Sequence, residues 1–137
     1  MEYAQGNLGK AILLATNEDY EALVRSVIRL EKQIYDMDME DIADAIESCV
    51  NYKMNIGEYL DLMMVWYRDI LMLKVTGKPD KIIFREEYST IRDQAKYLSY
   101  NELEDKAKAI ENAKKRIEVN ARLEDIMRLL ILTLKEI

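Results

Sequence analysis

Hydrophobic positions recur along the chain at spacings of three and four residues, the period of one face of an α-helix. The clearest stripe runs from Tyr20 to Ile34, and Thr16 or Asn17 precedes it as a candidate N-cap. A short apolar stretch, Leu8 to Ala15, predicts another helix before it. The start of the chain therefore predicts two helices with a break near Thr16.

Cap and stop signals delimit the next two helices. Asp38 is a good N-cap for a third helix that reaches Val50, and Asn55 is placed to begin a fourth that ends near Val75. Gly77-Lys78-Pro79 follows and ends it, because proline cannot continue a helix. The fourth helix has almost no polar face, so we expect it to be packed on several sides at the centre of the bundle.

The segment after the proline predicts a short linker and two more helices. Ile82-Ile83-Phe84 is too short and isolated to indicate a sheet, so we expect an apolar plug that links helices. Residues from Glu86 to about Tyr97 are helical in pattern. Ser99 and Glu102 have the spacing of a capping box and begin a helix that extends to Val119.

The last helix carries more apolar surface than one core contact requires. Asn120 offers either an interruption or the cap of a helix that runs from Ala121 to the end. The side chains on one face of this helix are Leu123, Ile126, Met127, Leu130 and Leu134. Because Leu129, Leu132 and Ile137 point elsewhere, we expect a second contact surface on which another subunit packs.

The composition agrees with a helical bundle. Half of the 137 residues are hydrophobic, and the chain has 1 Pro and 4 Gly. The fold class predicted is all-α, a single compact bundle of about six helices. No charge-free apolar run is long enough for a membrane span, and one cysteine, Cys49, with no signal-like start indicates the cytoplasm.

The charge of the chain argues against direct binding of nucleic acid. The net charge is -6, and the first fifty residues hold 4 basic and 11 acidic residues. The remainder is nearly balanced, and the cluster Lys106, Lys108, Lys114, Lys115 and Arg116 is interleaved with carboxylates at i+3 and i+4. We interpret that cluster as helix salt bridges, because nucleic-acid affinity depends on a clear basic excess.

The sequence offers no catalytic, cofactor-binding or metal-binding residue. With no His and 1 Cys, zinc sites, Ser-His-Asp triads and Cys-His pairs are excluded. The acidic segment from Asp36 to Asp41 lacks the Gly and distal Glu of a calcium loop, so capping by Asp38 is preferred over metal binding. Gly6 to Ala11 lacks the spacing of a phosphate-binding loop.

Three short segments resemble the C-terminal domain of the delta-prime subunit of the bacterial DNA polymerase III clamp loader. Trp66-Tyr67-Arg68-Asp69-Ile70-Leu71 is similar to the family's Trp-x-Arg-Asp-Leu-Leu segment. Residues 117–123 resemble its Leu-x-x-Asn-x-Asn-x-x-Leu pattern, with Arg122 in place of the second Asn. Gly6 to Ala11 resembles the last helix of the family's ATPase-like lid, with Gly9 where ATP-hydrolysing relatives have an arginine.

The resemblance implies an organisation and a role. Residues 1–15 would end the AAA+ lid, residues 16–137 would form a helical collar domain, and ATPase-like domains would lie upstream. The implied function is non-catalytic: the collar joins the delta and tau or gamma subunits in the complex that loads the sliding clamp during DNA replication. The resemblance implies no cofactor, no membrane, and contact with DNA only through the complex.

The candidate interface residues are Arg68, Asp69, Asn120, Leu129 and Leu132. Arg68 and Asp69 carry over from the family motif, and we hypothesise a buried or interfacial polar contact near Asn120. Two alternatives remain open: a helical domain that binds a small apolar ligand beside Trp66 and the methionines, and an adaptor whose acidic first part binds a basic partner.

Overall fold

The computed structural model describes residues 17–119 and 122–137. Helices and short 3-10 turns make up nearly all of these ranges, which contain no strand. The α-helices are α1 (Asn17–Gln33), α2 (Met39–Asn51), α3 (Ile56–Thr76), α4 (Tyr88–Tyr97), α5 (Tyr100–Glu118) and α6 (Leu123–Glu136). The predicted all-α bundle is confirmed. The predicted helix Leu8–Ala15 and its neighbour Thr16 lie outside the described residues.

Three of the predicted helix boundaries are set by the expected residues. The Asp38 side chain accepts a hydrogen bond from the Asp41 amide at 2.8 Å and closes a capping box at the start of α2. Ser99 and Glu102 form the same arrangement at α5. Gly77 ends α3 with a φ of 67°, a left-handed conformation that glycine adopts without strain. Asn55 precedes α3 but makes no side-chain capping bond.

Helix α3 is the centre of the bundle, as its apolar sequence predicts. It contacts α1, α4 and α5, while α6 packs against α5 and α2. Its fully buried side chains include Trp66, Met63 and Ile70. Near the end of α3, Leu71 and Val75 are exposed although the sequence is apolar there, whereas Leu73 between them is buried. Cys49 lies in the core, and burial raises the pKa of its thiol to about 11.

The linker between α3 and α4 is an apolar plug, as expected. Ile82 and Phe84 are buried, and 3-10 turns at Pro79–Lys81 and Arg85–Glu87 flank them. The second turn shortens the predicted helix, which begins at Tyr88 rather than Glu86.

The join between α5 and α6 is a reversal of direction and not a kink. The Lys106 ammonium group near the start of α5 donates to the Leu134 carbonyl near the end of α6, which places the two helices antiparallel. Helix α6 begins at Leu123, because Arg122 has extended backbone angles. The prediction that the helix starts at Ala121 was wrong, and Asn120 lies outside the described residues.

Candidate interaction surface

A groove lies between α5 and α6, where the two antiparallel helices diverge at the surface. Its volume is about 610 Å³. We call it the α5/α6 groove. It is lined by Asp105, Lys108, Ala109, Asn112, Ala113, Lys115, Arg116, Ile126, Leu129, Leu130, Thr133 and Ile137.

The two walls of the α5/α6 groove differ in chemistry. The α5 wall carries three cations, Lys108, Lys115 and Arg116, and one carboxylate, together with Asn112 and two alanines. The α6 wall is apolar apart from Thr133, and its most exposed member is Leu129, with 49% of its surface accessible. The α5/α6 groove therefore places exposed apolar surface beside exposed charge.

The structure separates the two leucines named by the sequence. Leu129 lines the groove, whereas Leu132 is partly buried and packs against the core of the bundle. The exposed apolar surface of α6 is therefore narrower than the sequence indicates, and Ile137 rather than Leu132 extends it along the groove.

Arg68 and Asp69 lie together on α3, away from Leu129. Asp69 is fully buried and accepts hydrogen bonds from the backbone amides of Ile83 at 2.9 Å and Phe84 at 2.8 Å. The half-exposed Arg68 guanidinium is 3.2 Å from the same carboxylate. Asp69 thus fixes the apolar plug to α3. Burial raises the pKa of Asp69, and its hydrogen bonds and Arg68 oppose that change.

A second buried carboxylate, Glu31 of α1, lies among polar side chains in the core. Its Oε1 accepts a hydrogen bond from the Tyr67 hydroxyl at 3.1 Å, but Oε2 has no partner in the described part of the chain. Burial raises the pKa of Glu31 to about 8, although the Tyr67 hydrogen bond and the Lys106 charge lower it. Burial thus favours the protonated form of Glu31.

Lys106 of α5 is fully buried beside this carboxylate. Its ammonium group donates to the Leu134 carbonyl at 2.6 Å and lies 4.9 Å from the Tyr35 ring centre. Burial lowers the pKa of Lys106, while Glu31 and Glu102 raise it. Helix α1, helix α5 and the end of α6 therefore meet at a buried polar cluster.

The interpretation of the basic cluster on α5 as helix salt bridges is correct for only one of the positions. Lys108 pairs with Glu104 at the i+4 spacing. The interpretation is wrong for Lys106, which is buried, and for Lys114, which pairs with Asp61 of α3. Both lysines bridge helices, because α5 packs against α3 and α6.

Trp66 belongs to the core, and its polar group is satisfied. Its Nε1 donates to Gln94 Oε1 at 2.9 Å, and the Gln94 amide in turn donates to the Glu31 backbone carbonyl at 3.0 Å. The indole also packs against Phe84, with ring centres 5.8 Å apart. Trp66 therefore holds α1, α3 and α4 together.

Comparisons with known proteins point to one distant relative. The chain is 25% identical over 133 residues to the DNA polymerase III subunit delta' of Bacillus subtilis (strain 168). The match covers 95% of this chain and 40% of the relative, so the chain spans less than half of that protein's length. No protein-family profile matches the chain, and no solved structure matches it.

The similarity extends along nearly the whole chain and is not confined to the three segments noted in the sequence. It indicates a distant similarity to that delta' subunit. The all-α architecture is consistent with that similarity.

The polar cluster at Glu31 and Lys106 was missed by the sequence analysis, although a signal for it exists. Glu31 lies between Val27 and Ile34 on the apolar stripe of α1, and Lys106 follows Leu103 by three residues on that of α5. A charged residue at an apolar stripe position indicates either a break in the stripe or a buried charge.

Two further observations concern the described ranges, 17–119 and 122–137. No helix within them is both long and apolar enough to cross a membrane. The carboxylates and Cys49 of the same ranges form no group of three or more that could hold a metal ion.

Proposed function

We propose that this chain is the non-catalytic helical collar domain of a delta-prime-like subunit of a clamp loader. In this role it assembles with the delta and tau or gamma subunits and keeps their ATPase domains in the arrangement that loads a sliding clamp onto DNA. The domain acts in the cytoplasm, contacts DNA only through the complex, and uses no cofactor of its own.

The observation that carries the proposal is the similarity to the Bacillus subtilis subunit over 133 residues. The fold supports it, since an assembly domain needs a rigid helical core and an accessible apolar surface. Helix α3 provides the core, and Leu129 in the α5/α6 groove provides exposed apolar surface.

Five residues have assigned roles in this proposal. Leu129 and Leu132 of α6 face or support a neighbouring subunit, and Asn120 precedes that helix in the sequence. Arg68 and Asp69 act indirectly, because Asp69 holds the plug at Ile83 and Phe84 in place.

Size-exclusion chromatography with purified partner subunits tests the proposal. The 137-residue chain, mixed with the delta and tau or gamma subunits of the same organism, is expected to elute with them at a larger size than alone. The variant Leu129→Ser is expected to lose co-elution while it keeps the helical circular dichroism spectrum of the parent, because Leu129 is exposed.

The matched control is Leu71→Ser, which changes an exposed leucine on α3 and is expected to co-elute normally. Separate elution of the unchanged chain from both partner subunits would refute the proposed function.

A further inference from the structure

The α5/α6 groove has a charge pattern that specifies its occupant. Of the carboxylates on α5, only Asp105 lines the groove, whereas the cations Lys108, Lys115 and Arg116 all line it. The groove is thus locally positive on a chain whose net charge is -6. This local excess favours a ligand with negative groups along one edge.

Two of these cations are available to a ligand. Lys108 is paired with Glu104 at 3.1 Å. Lys115 and Arg116 are exposed, and the structure gives them no ion pair within the described part of the chain. A carboxylate placed over Lys115 and Arg116 would therefore gain two positive neighbours without displacing an existing partner.

The α6 wall determines the chemistry of the ligand surface that faces it. Leu129, which is half exposed, and the partly exposed Ile137 provide the apolar surface of the α6 wall, while Ile126 and Leu130 beneath them are buried. Nucleic acid would leave this surface without a partner, because its affinity comes from phosphate neutralisation. A helix with an apolar stripe and acidic residues beside the stripe matches both walls at once.

We propose that the α5/α6 groove binds an amphipathic helix of a partner subunit, with the apolar stripe on Leu129 and flanking carboxylates on Lys115 and Arg116. This inference rests on the proposed function and assigns one surface and one ligand chemistry to the assembly. The apolar wall provides most of the contact, and the basic wall fixes the orientation and register of the bound helix.

The test measures binding of the 137-residue chain to immobilised full-length delta, and separately to tau or gamma, by surface plasmon resonance. The double reversal Lys115→Glu, Arg116→Glu is expected to weaken binding to one of these subunits by at least about tenfold. Leu129→Asp is expected to do the same. The binding of the parent chain should also weaken as salt is added, and the double reversal should remove that dependence.

Lys78→Glu, Lys81→Glu is the matched control, because it reverses two exposed lysines beside the turn at Pro79–Lys81. It makes the same change in net charge and should bind within about twofold of the parent. All three altered residues in the groove are exposed, so thermal melts should show that the variants remain folded.

The outcomes separate the two proposals. If the parent binds a subunit and the groove variants bind it equally well, the groove is not the interface, and the inference alone fails. If the charge reversal weakens binding but Leu129→Asp does not, the surface is electrostatic and no helix docks on the apolar wall. If the unchanged chain binds neither subunit, the proposed function itself is refuted.

Discussion

Two carboxylates are fully buried in this bundle, and their surroundings differ in the number and kind of donors. Asp69 accepts hydrogen bonds from two backbone amides and lies beside Arg68. Glu31 accepts one hydrogen bond, from the Tyr67 hydroxyl, and has an unpartnered oxygen. Backbone amides fixed by the plug can stabilise a buried negative charge, whereas a single hydroxyl leaves the cost of burial largely uncompensated.

Because of this difference, Asp69 and Glu31 have different roles. Asp69 connects α3 to the segment at Ile83 and Phe84, so its role is to hold a loop in place. Glu31 lies close to Lys106, and the proton on Glu31 decides whether that lysine faces a neutral or a charged neighbour. Burial raises the pKa of both carboxyl groups, and the larger rise at Glu31 gives that residue the stronger influence on how stability depends on pH.

The largest effect is expected from Asp69→Ala. The substitution leaves the buried amide of Phe84 and the amide of Ile83 without acceptors, so the free energy of unfolding should fall by about 3 kcal/mol. Urea unfolding followed by Trp66 fluorescence measures the change, since Trp66 is the single tryptophan. Asp93→Ala, at an exposed position on α4, is the control and should change stability by less than about 0.5 kcal/mol.

The next effect is expected from Glu31→Gln and concerns pH. In the folded chain the pKa of Glu31 is raised to about 8 from its ordinary 4.5. The folded state therefore retains a proton that the unfolded state releases, and the stability of the parent falls as pH rises from 4.5 toward 8. The amide group that replaces the carboxyl group cannot ionise. Relative to the parent, the variant should gain roughly 3 kcal/mol between pH 5 and pH 8.

Chemical unfolding at several pH values between 5 and 8 measures this difference. Glu111→Gln changes an exposed glutamate of α5 and should follow the parent at every pH. Parallel pH profiles for Glu31→Gln and the parent would show that Glu31 titrates normally, and the contrast with Asp69 would then disappear.

The smallest effect is expected from Arg68→Ala. About half of the Arg68 side chain is exposed, and the two amides remain on Asp69 when the guanidinium is removed. The free energy of unfolding should fall by no more than about 0.5 kcal/mol. A loss as large as that of Asp69→Ala would mean that the ion pair, and not the backbone amides, stabilises the buried carboxylate.

The helices could be predicted from the sequence because their signals are local. Apolar periodicity and the caps at Asp38, Ser99 and Gly77 depend only on residues within a few positions of each other. The starts of α4 and α6 were predicted less accurately, and the 3-10 turn Arg85–Glu87 occupies the predicted first turn of α4. Packing of the neighbouring helices determines where the first turn of each helix begins.

The buried contacts required three-dimensional information. The partners of Asp69 lie 14 and 15 residues away, and the partner of Lys106 lies 28 residues away. Lys106 lies on the apolar stripe of α5 and Lys108 does not, but the stripe alone does not show which carbonyl or ring the buried ammonium group contacts. The α5/α6 groove likewise depends on the separation between two helices, which the residue pattern of one helix does not determine.

Cys49 gives the chain a reporter of its own motions. Its thiol is enclosed between helices and stays protonated at neutral pH, so a maleimide or disulfide reagent can react only when this part of the bundle opens. The labelling rate in the native state therefore measures how often this part of the bundle opens. No introduced probe is needed, because no other cysteine competes for the reagent.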